Sequence, residues 1–286
     1  PEFRGQRWGL LPPERCQALR SLLLRLEALF PQFGLQGGSE GRNVWVAKPG
    51  SSSKGSGVEC WSSLAELLRH CDAMTDRVVQ KYVERPLLLC GGRKFDIRQW
   101  VLVTSVAPLR AFIFSECYLR LCNSVYDLGA LRDRERHLSN WQVNRNGRHA
   151  VEGAVQSLED LQRELEACTG RQDAWEQQLL PQLQQLVLRT LRSAEGQLAP
   201  RERSFELYGF DLLLDEDLHL WLLEVNLSPG CEGRAPFLER LLERMAKRLV
   251  EVAVLGREEP DGQLPDWLPL RDGAAEETAG ARAAAD

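Results

Sequence analysis

Residues 205–229, FELYGFDLLLDEDLHLWLLEVNLSP, constrain this chain more than any other stretch. Two apolar runs with β character flank an acidic turn at Asp215, Glu216 and Asp217, the pattern of an antiparallel hairpin. Pairing Asp215 with Leu220 across a four-residue loop puts Asp211 directly opposite Glu224, with Asn226 one diagonal step away on the same face. Two carboxylates that close raise each other's pKa unless positive charge lies between them. Two carboxylates and an amide are also hard oxygen donors, suited to magnesium held with nucleotide phosphates. The plainer alternative is an edge hairpin with solvent-facing acids. Against it, Glu224 interrupts the strongly apolar WLLEVN.

A second segment, RKFDIRQWVLV at residues 93–103, alternates with a period of two. Lys94, Asp96 and Arg98 fall on one strand face, Phe95, Ile97 and Gln99 on the other. Such a row could hold triphosphate oxygens with Lys94 and Arg98 while Asp96 accepts hydrogen bonds from a ribose; a cross-strand ion-pair ladder is the other reading. Lys48 closes a short strand, and the glycine-rich loop after it could approach phosphates through backbone N–H groups. That loop has neither the G-x-x-x-x-G-K-[ST] nor the G-x-G-x-x-G pattern. Gln80, Lys81, Tyr82 and Val83 suit an adenine-contacting connection or an ordinary edge strand equally.

Around these segments, leucine spacing predicts an amphipathic helix over residues 14–30 (Leu19, Leu22, Leu23, Leu26, Phe30), stopped by Pro31. Strand, glycine loop, helix and strand alternate from Val44 to Val83, with Ser63 and Glu66 as a capping box and Leu64, Leu67, Leu68 and Cys71 on one helix face. Further strands are expected at 95–103 and 109–115, helical periodicity over 158–194, and a last helix from Pro236 to about Val254. At 286 residues, with no apolar run approaching the ~18 needed to cross a bilayer, a soluble α+β protein is expected. The start at Pro1 without a secretory signal reads as a fragment. Eight scattered cysteines without a C-x-x-C pair, and four separated histidines, predict neither a zinc site nor disulfides, and most cysteines are expected in the core.

The net charge of −5 is misleading until divided: residues 257–286 hold eight acids and three bases, leaving 33 of each sign in residues 1–256. That tail has too little to bury and is expected to be disordered. Residues 85–148 carry eleven Lys or Arg against five Asp or Glu, which favours a polyanionic partner if the excess gathers on one face. Neither nucleic acid nor a membrane is expected as partner.

In order, NVWVAKP, KGSG, VVQKYVERPLLL, RKFDIRQWVLV, YLRL, HLSN and SFELYGFDLLLDED…WLLEVNLSP resemble the tubulin tyrosine ligase and ligase-like family over residues 43–255. The resemblance implies an ATP-grasp-type fold in which two α+β lobes with antiparallel sheets clamp ATP and magnesium. It implies a helical segment at 1–42, a central lobe at 43–90, a C-terminal lobe at 91–256 and the acidic tail at 257–286. Only some 42 residues precede the first matching strand, so the N-terminal lobe is expected to be reduced or missing. By position, Lys48 is the lysine of the α- and β-phosphates, Lys54, Gly55 and Gly57 belong to the covering loop, and Gln80, Lys81, Tyr82 and Val83 form the adenine hinge. Lys94 and Asp96 are nucleotide contacts, Arg98 the γ-phosphate arginine, Arg120 the arginine near the acceptor, and Asn140 a residue near the phosphates. Asp211, Glu224 and Asn226 are the implied magnesium ligands.

The implied reaction is ligation of an amino acid to a tubulin tail through an acyl phosphate, in the cytoplasm, on the cytoskeleton or in the ciliary axoneme. AKPGSSSKGSG, ERPLLL, FDIRQW and YLRL lie closer to the glycine-adding branch, GFDLLLDEDLHLWLLEVN closer to the tyrosine ligase. Glycine is the favoured donor, with tyrosine, glutamate or an inactive tubulin-binding member as alternatives. The acidic tail of tubulin is the natural partner for the basic stretch.

Overall fold

The computed structural model describes residues 12–29, 43–50, 52, 54–74, 76–145, 154–233, 235–256 and 266–270. The chain divides into two compact units, Pro1–Glu84 and Arg85–Asp286, rather than after residue 90.

In the first unit, helix α1 (Pro13–Leu29) starts with proline, whose missing N–H costs nothing in a first turn. Its leucine stripe is exposed: Leu19, Leu22, Leu23 and Leu24 all lie open. Phe30 and Pro31 lie outside the described residues. Strands β1 (Trp45–Pro49), β2 (Glu59–Trp61) and β3 (Arg77–Lys81) form an antiparallel sheet in the order β2-β1-β3. Helix α2 (Leu64–Ala73) begins where Ser63 Oγ accepts from the Glu66 backbone N–H at 3.4 Å. Leu67 packs with Ala47 and Trp61, and Cys71 lies against them. Leu64 and Leu68, expected on the same face, are exposed, because three short strands offer a contact only one helical turn wide.

The second unit is built on β5 (Arg93–Val106), fourteen residues long and paired along its whole length. One flank pairs with β9 (Glu206–Leu214), and β10 (Leu220–Asn226) continues beyond it. On the other flank, β7 (Tyr118–Val125) takes the first half and β6 (Leu109–Phe114) the second. Short strands β4 (Leu88–Leu89), β8 (Val155–Ser157) and β11 (Trp267–Pro269) pair with β5, β7 and β6. Every pairing is antiparallel, and the pairing of β4 with β5 explains why the second unit starts before residue 90.

Alternation along β5 divides two cores. Phe95, Ile97, Val101 and Val103 pack under α5 (Leu158–Thr169) and α6 (Leu180–Ala194). Trp100 and Leu102, on the opposite face, pack under Leu238, Leu241, Met245 and Leu249 of α7 (Pro236–Ala253). The expected helical stretch 158–194 is interrupted twice. Gly170, at φ 70°, ends α5, and a π turn over Trp175–Leu179 precedes Pro181, which has no N–H to donate back to the preceding turn.

Two expectations are corrected. Residues 266–270 of the supposedly unstructured tail extend the sheet: Trp267 is buried, and the Ser115 N–H donates to the Asp266 carbonyl at 2.7 Å. Only Cys60, Cys117 and Cys122 of the eight cysteines are buried; none of the eight forms a disulfide among the described residues, and burial pushes the Cys117 and Cys122 thiols up to about 12. No helix among the described residues is long and apolar enough to cross a membrane.

Candidate functional site

The hairpin pairs as expected at its base and differently at its tip. Leu220 faces Leu214 rather than Asp215, and the Asp215 N–H donates to the His219 carbonyl at 3.1 Å across a three-residue turn with Leu218 in the left-handed region at φ 61°. Asp215 Oδ1 accepts from the N–H groups of Asp217 and His219, at 3.0 and 2.9 Å, and Oδ2 from Trp221 Nε1 at 2.7 Å. A bulge between Leu222 and Glu224 then adds one residue to β10, so Glu224 lies opposite Asp211 after all. Asn226 Nδ2 donates to Asp211 Oδ2 and to the Gly209 carbonyl, both at 3.2 Å.

Register carries the row across the sheet. Asp211 pairs with Arg98 of β5, and Asp96 with Arg120 of β7. Arg98 grips Asp211 through Nε–Oδ1 at 2.5 Å and Nη2–Oδ2 at 3.1 Å. Arg120 donates to both oxygens of Asp96, at 2.7 and 2.8 Å, and its Nη2 lies 2.8 Å from Asp211 Oδ2. All four groups are buried, and the Ser139 hydroxyl donates to Asp96. Burial alone would raise the Asp211 carboxyl, but Arg120 and Arg98 outweigh it and hold it below the usual carboxylate range. Burial disfavours the Arg120 charge, and Asp96 and Asp211 more than restore it. Lys94 Nζ donates to the His137 carbonyl at 2.9 Å.

The segment that brings Ser139 to Asp96 is held by Asn144, which is clamped to β7. Its Oδ1 accepts from the Asn123 N–H at 3.1 Å, and its carbonyl accepts from Asn123 Nδ2 at 2.7 Å. Asn140 stands at the N-cap of the one-turn helix α4 (Trp141–Asn144) without using its side chain as the cap.

In the first unit, Lys48 lies opposite Val78 and Val46 opposite Gln80, so Lys48 and Gln80 share a sheet face and Lys81 falls on the other. The Lys81 ammonium donates to the carbonyls of Val44 and Tyr82, at 3.2 and 2.8 Å, and to Glu84. Burial lowers its pKa against the pull of Glu84. Tyr82 and Val83 are buried. Lys54, Gly55 and Gly57 all have left-handed φ in one tight turn, and a Cβ at Gly57 would stand 2.9 Å from Pro49 Cγ. Arg77 Nη1 holds that turn through the Gly57 carbonyl at 2.9 Å.

Residues 14–262 match the tubulin-tyrosine ligase family. The chain belongs to that family. It is 37% identical over 256 residues to tubulin glycylase 3E of Tetrahymena thermophila, which covers 86% of this chain and 18% of that protein. To tubulin monoglycylase TTLL3 it is 34% identical in Danio rerio and 32% in Homo sapiens, covering 86% and 90% of this chain and 32% and 36% of those proteins. The chain thus spans only a fifth to a third or so of the length of these relatives.

Sequence reasoning left several residues of this tubulin-tyrosine ligase family chain without a partner. Glu84, the counter-ion of Lys81, gave no pattern, and neither did the Asn123–Asn144 clamp, since both join distant segments. Among the described residues, several basic side chains of the stretch 85–148 are already engaged. Arg98 and Arg120 pair with buried acids, Lys94 with a carbonyl, Arg85 with Glu216 and Asp217, and Arg136 with Asp133.

Gly209 makes room for Arg98. A Cβ there would stand 2.7 Å from Pro229 Cβ and 3.2 Å from Arg98 Cδ. Gly209→Ala is expected to push Arg98 off Asp211 and cost about 1–3 kcal/mol, read as a lower urea midpoint. Pro229→Gly in the same chain relieves the first contact and restores part of that loss.

His137 sets a pH dependence. Burial, then Lys94, lower its pKa from 6.5 to about 4, against the Ala130 carbonyl, Asp133 and Asp127. Its contribution to stability is therefore fully present above 6.5 and is lost as pH falls toward about 4, because the unfolded chain takes the proton first. Urea midpoints across that window should fall by an equivalent of about 1–3 kcal/mol, and His137→Gln should flatten that part of the profile.

Proposed function

We propose that this chain carries the nucleotide and metal chemistry of an ATP-dependent ligase that joins glycine to tubulin tails. One observation carries the reading most: Asp211, Glu224 and Asn226 share a strand face with the guanidinium groups of Arg98 and Arg120, in a chain 32–37% identical to proteins named tubulin glycylases. Two carboxylates and an amide are hard oxygen donors that fit magnesium better than a soft metal. No group of three or more His, Cys, Asp or Glu suited to a metal occurs among the described residues, so phosphate and water would complete the shell. Bound there, magnesium supplies neutralisation of charge on transferring phosphate oxygens.

The chain's own groups do the rest. Arg98 orients the γ-phosphate, and Arg120 neutralises the activated carboxylate beside it. Lys94 and Asp96 hold the nucleotide, with Asn140 near the phosphates. On the first unit, Lys48 with Lys54, Gly55 and Gly57 serves the phosphates, and Gln80, Lys81, Tyr82 and Val83 serve the adenine. The γ-phosphoryl group passes to a carboxylate oxygen, leaving ADP. The amine nitrogen then attacks the acyl carbon, and phosphate and a proton depart. No side-chain nucleophile is required, and holding both reactants in one orientation supplies much of the acceleration. The setting is the cytoskeleton or the ciliary axoneme.

Intact-mass spectrometry of tubulin incubated with the protein, ATP, magnesium and separately glycine, tyrosine or glutamate tests this. A glycine increment is expected. An increment with tyrosine or glutamate alone overturns the donor, and no increment with any of them overturns the ligase reading for this chain.

A further inference from the structure

Four donor contacts already crowd the Asp211 carboxylate, so a cation must displace some of them to bind it. Its Oδ1 accepts from Arg98 Nε at 2.5 Å, while Oδ2 receives Arg98 Nη2 at 3.1 Å, Arg120 Nη2 at 2.8 Å and Asn226 Nδ2 at 3.2 Å. The carboxylate is only 2% exposed, and the two guanidinium groups that hold it are 6% and 8% exposed. With Asp96, the two arginines and two aspartates sum to zero charge in a poorly solvated place.

We propose that Arg98 and Arg120 are built-in counter-ions of Asp211, exchanged for phosphate oxygens as metal arrives, so that metal and polyphosphate each bind poorly alone and tightly together. This rests on the assignment of Asp211 to metal and of Arg98 to phosphate made above. A divalent cation arriving alone must take Asp211 from two buried guanidinium groups, leaving Arg98 without that carboxylate and Arg120 with Asp96 alone, beside added positive charge. A polyphosphate arriving alone meets arginines that are already neutralised, and the carboxylates of Asp96 and Asp211 next to them. When both arrive, every charge changes partner and none is stranded. Arg120 is the hinge of the exchange, because Asp96 still holds it when Asp211 is withdrawn.

The consequence runs against the usual effect of deleting a metal ligand. Asp211→Asn frees the arginines, so the variant should bind ATP in EDTA at least about tenfold tighter than the wild type, although its binding of ATP with magnesium weakens. Arg98→Met, the reciprocal variant, should bind Mn2+ alone at least about tenfold tighter than the wild type. The ATP arm is read by calorimetry, the Mn2+ arm by electron paramagnetic resonance, and melting curves report which variants are folded. If one variant does not fold, the other decides. No gain for ATP in Asp211→Asn, or none for Mn2+ in Arg98→Met, overturns the exchange. Wild-type protein that binds no ATP even with magnesium would instead reject the underlying nucleotide-site reading, so the two failures are distinguishable.

Discussion

Glu224→Gln is expected to slow the proposed amino-acid transfer at least about a thousandfold and to leave the melting temperature of the protein almost unchanged. Glu224 lies opposite Asp211 on the outermost strand of its sheet and is exposed, so an isosteric amide disturbs little packing. What changes is charge: a carboxylate suited to a hard cation, the role proposed for it, becomes a weak amide ligand. Initial rates of glycine incorporation and of ADP release at several magnesium concentrations read the loss, and excess magnesium should recover part of it. Transfer at the wild-type rate would remove Glu224 from the ligand set.

Trp267→Ala is expected to destabilise the second unit by about 3–5 kcal/mol. The indole is buried, meets Phe114 at 5.1 Å between ring centroids and lies in the core beneath α7. The strand that carries it is anchored at both ends. Arg248 Nε donates to Asp266 Oδ2 at 2.8 Å, and the Leu270 N–H donates to the Ala111 carbonyl at 2.8 Å. Since Trp267 Nε1 is buried without a hydrogen-bond partner among the described residues, Trp267→Phe should cost far less than Trp267→Ala. Denaturant midpoints of the two variants decide this, and equal losses would show that the indole N–H matters after all.

The hairpin and the central strand were legible because a period of two fixes faces without knowledge of partners. Lys94, Asp96 and Arg98 share one side for that reason, whereas Glu224 and Asn226 reach the face of Asp211 only because a bulge offsets a tip register one residue away from the expected one. Arg120 as the bridge between Asp96 and Asp211 was not legible, since it depends on which strand lies beside β5. The strand at 267–269 is three residues long within an acidic, glycine- and alanine-rich stretch, too short for any periodicity, and it lies beyond the family match that ends at residue 262. Its one available signal was a tryptophan followed by leucines at 268 and 270 in a region with little else to bury. For α1 the period was right, and Leu19, Leu22 and Leu23 are nonetheless exposed, because spacing defines a stripe and does not supply its cover.

The single extra residue in β10 also bears on how chains of this kind should be compared. Carried down from the tip without interruption, the pairing would place Leu223 against Asp211 and turn Glu224 to the opposite side, beside Phe210. The tip and the base of the hairpin therefore keep separate registers, joined at Leu223. A relative lacking that residue keeps its glutamate opposite the aspartate in plain pairing, whereas one lacking the residue between Glu224 and Asn226 keeps the glutamate in place and turns the asparagine to the other face. An alignment gap in this hairpin belongs at position 223 and not in the acidic turn, where the eye would place it first.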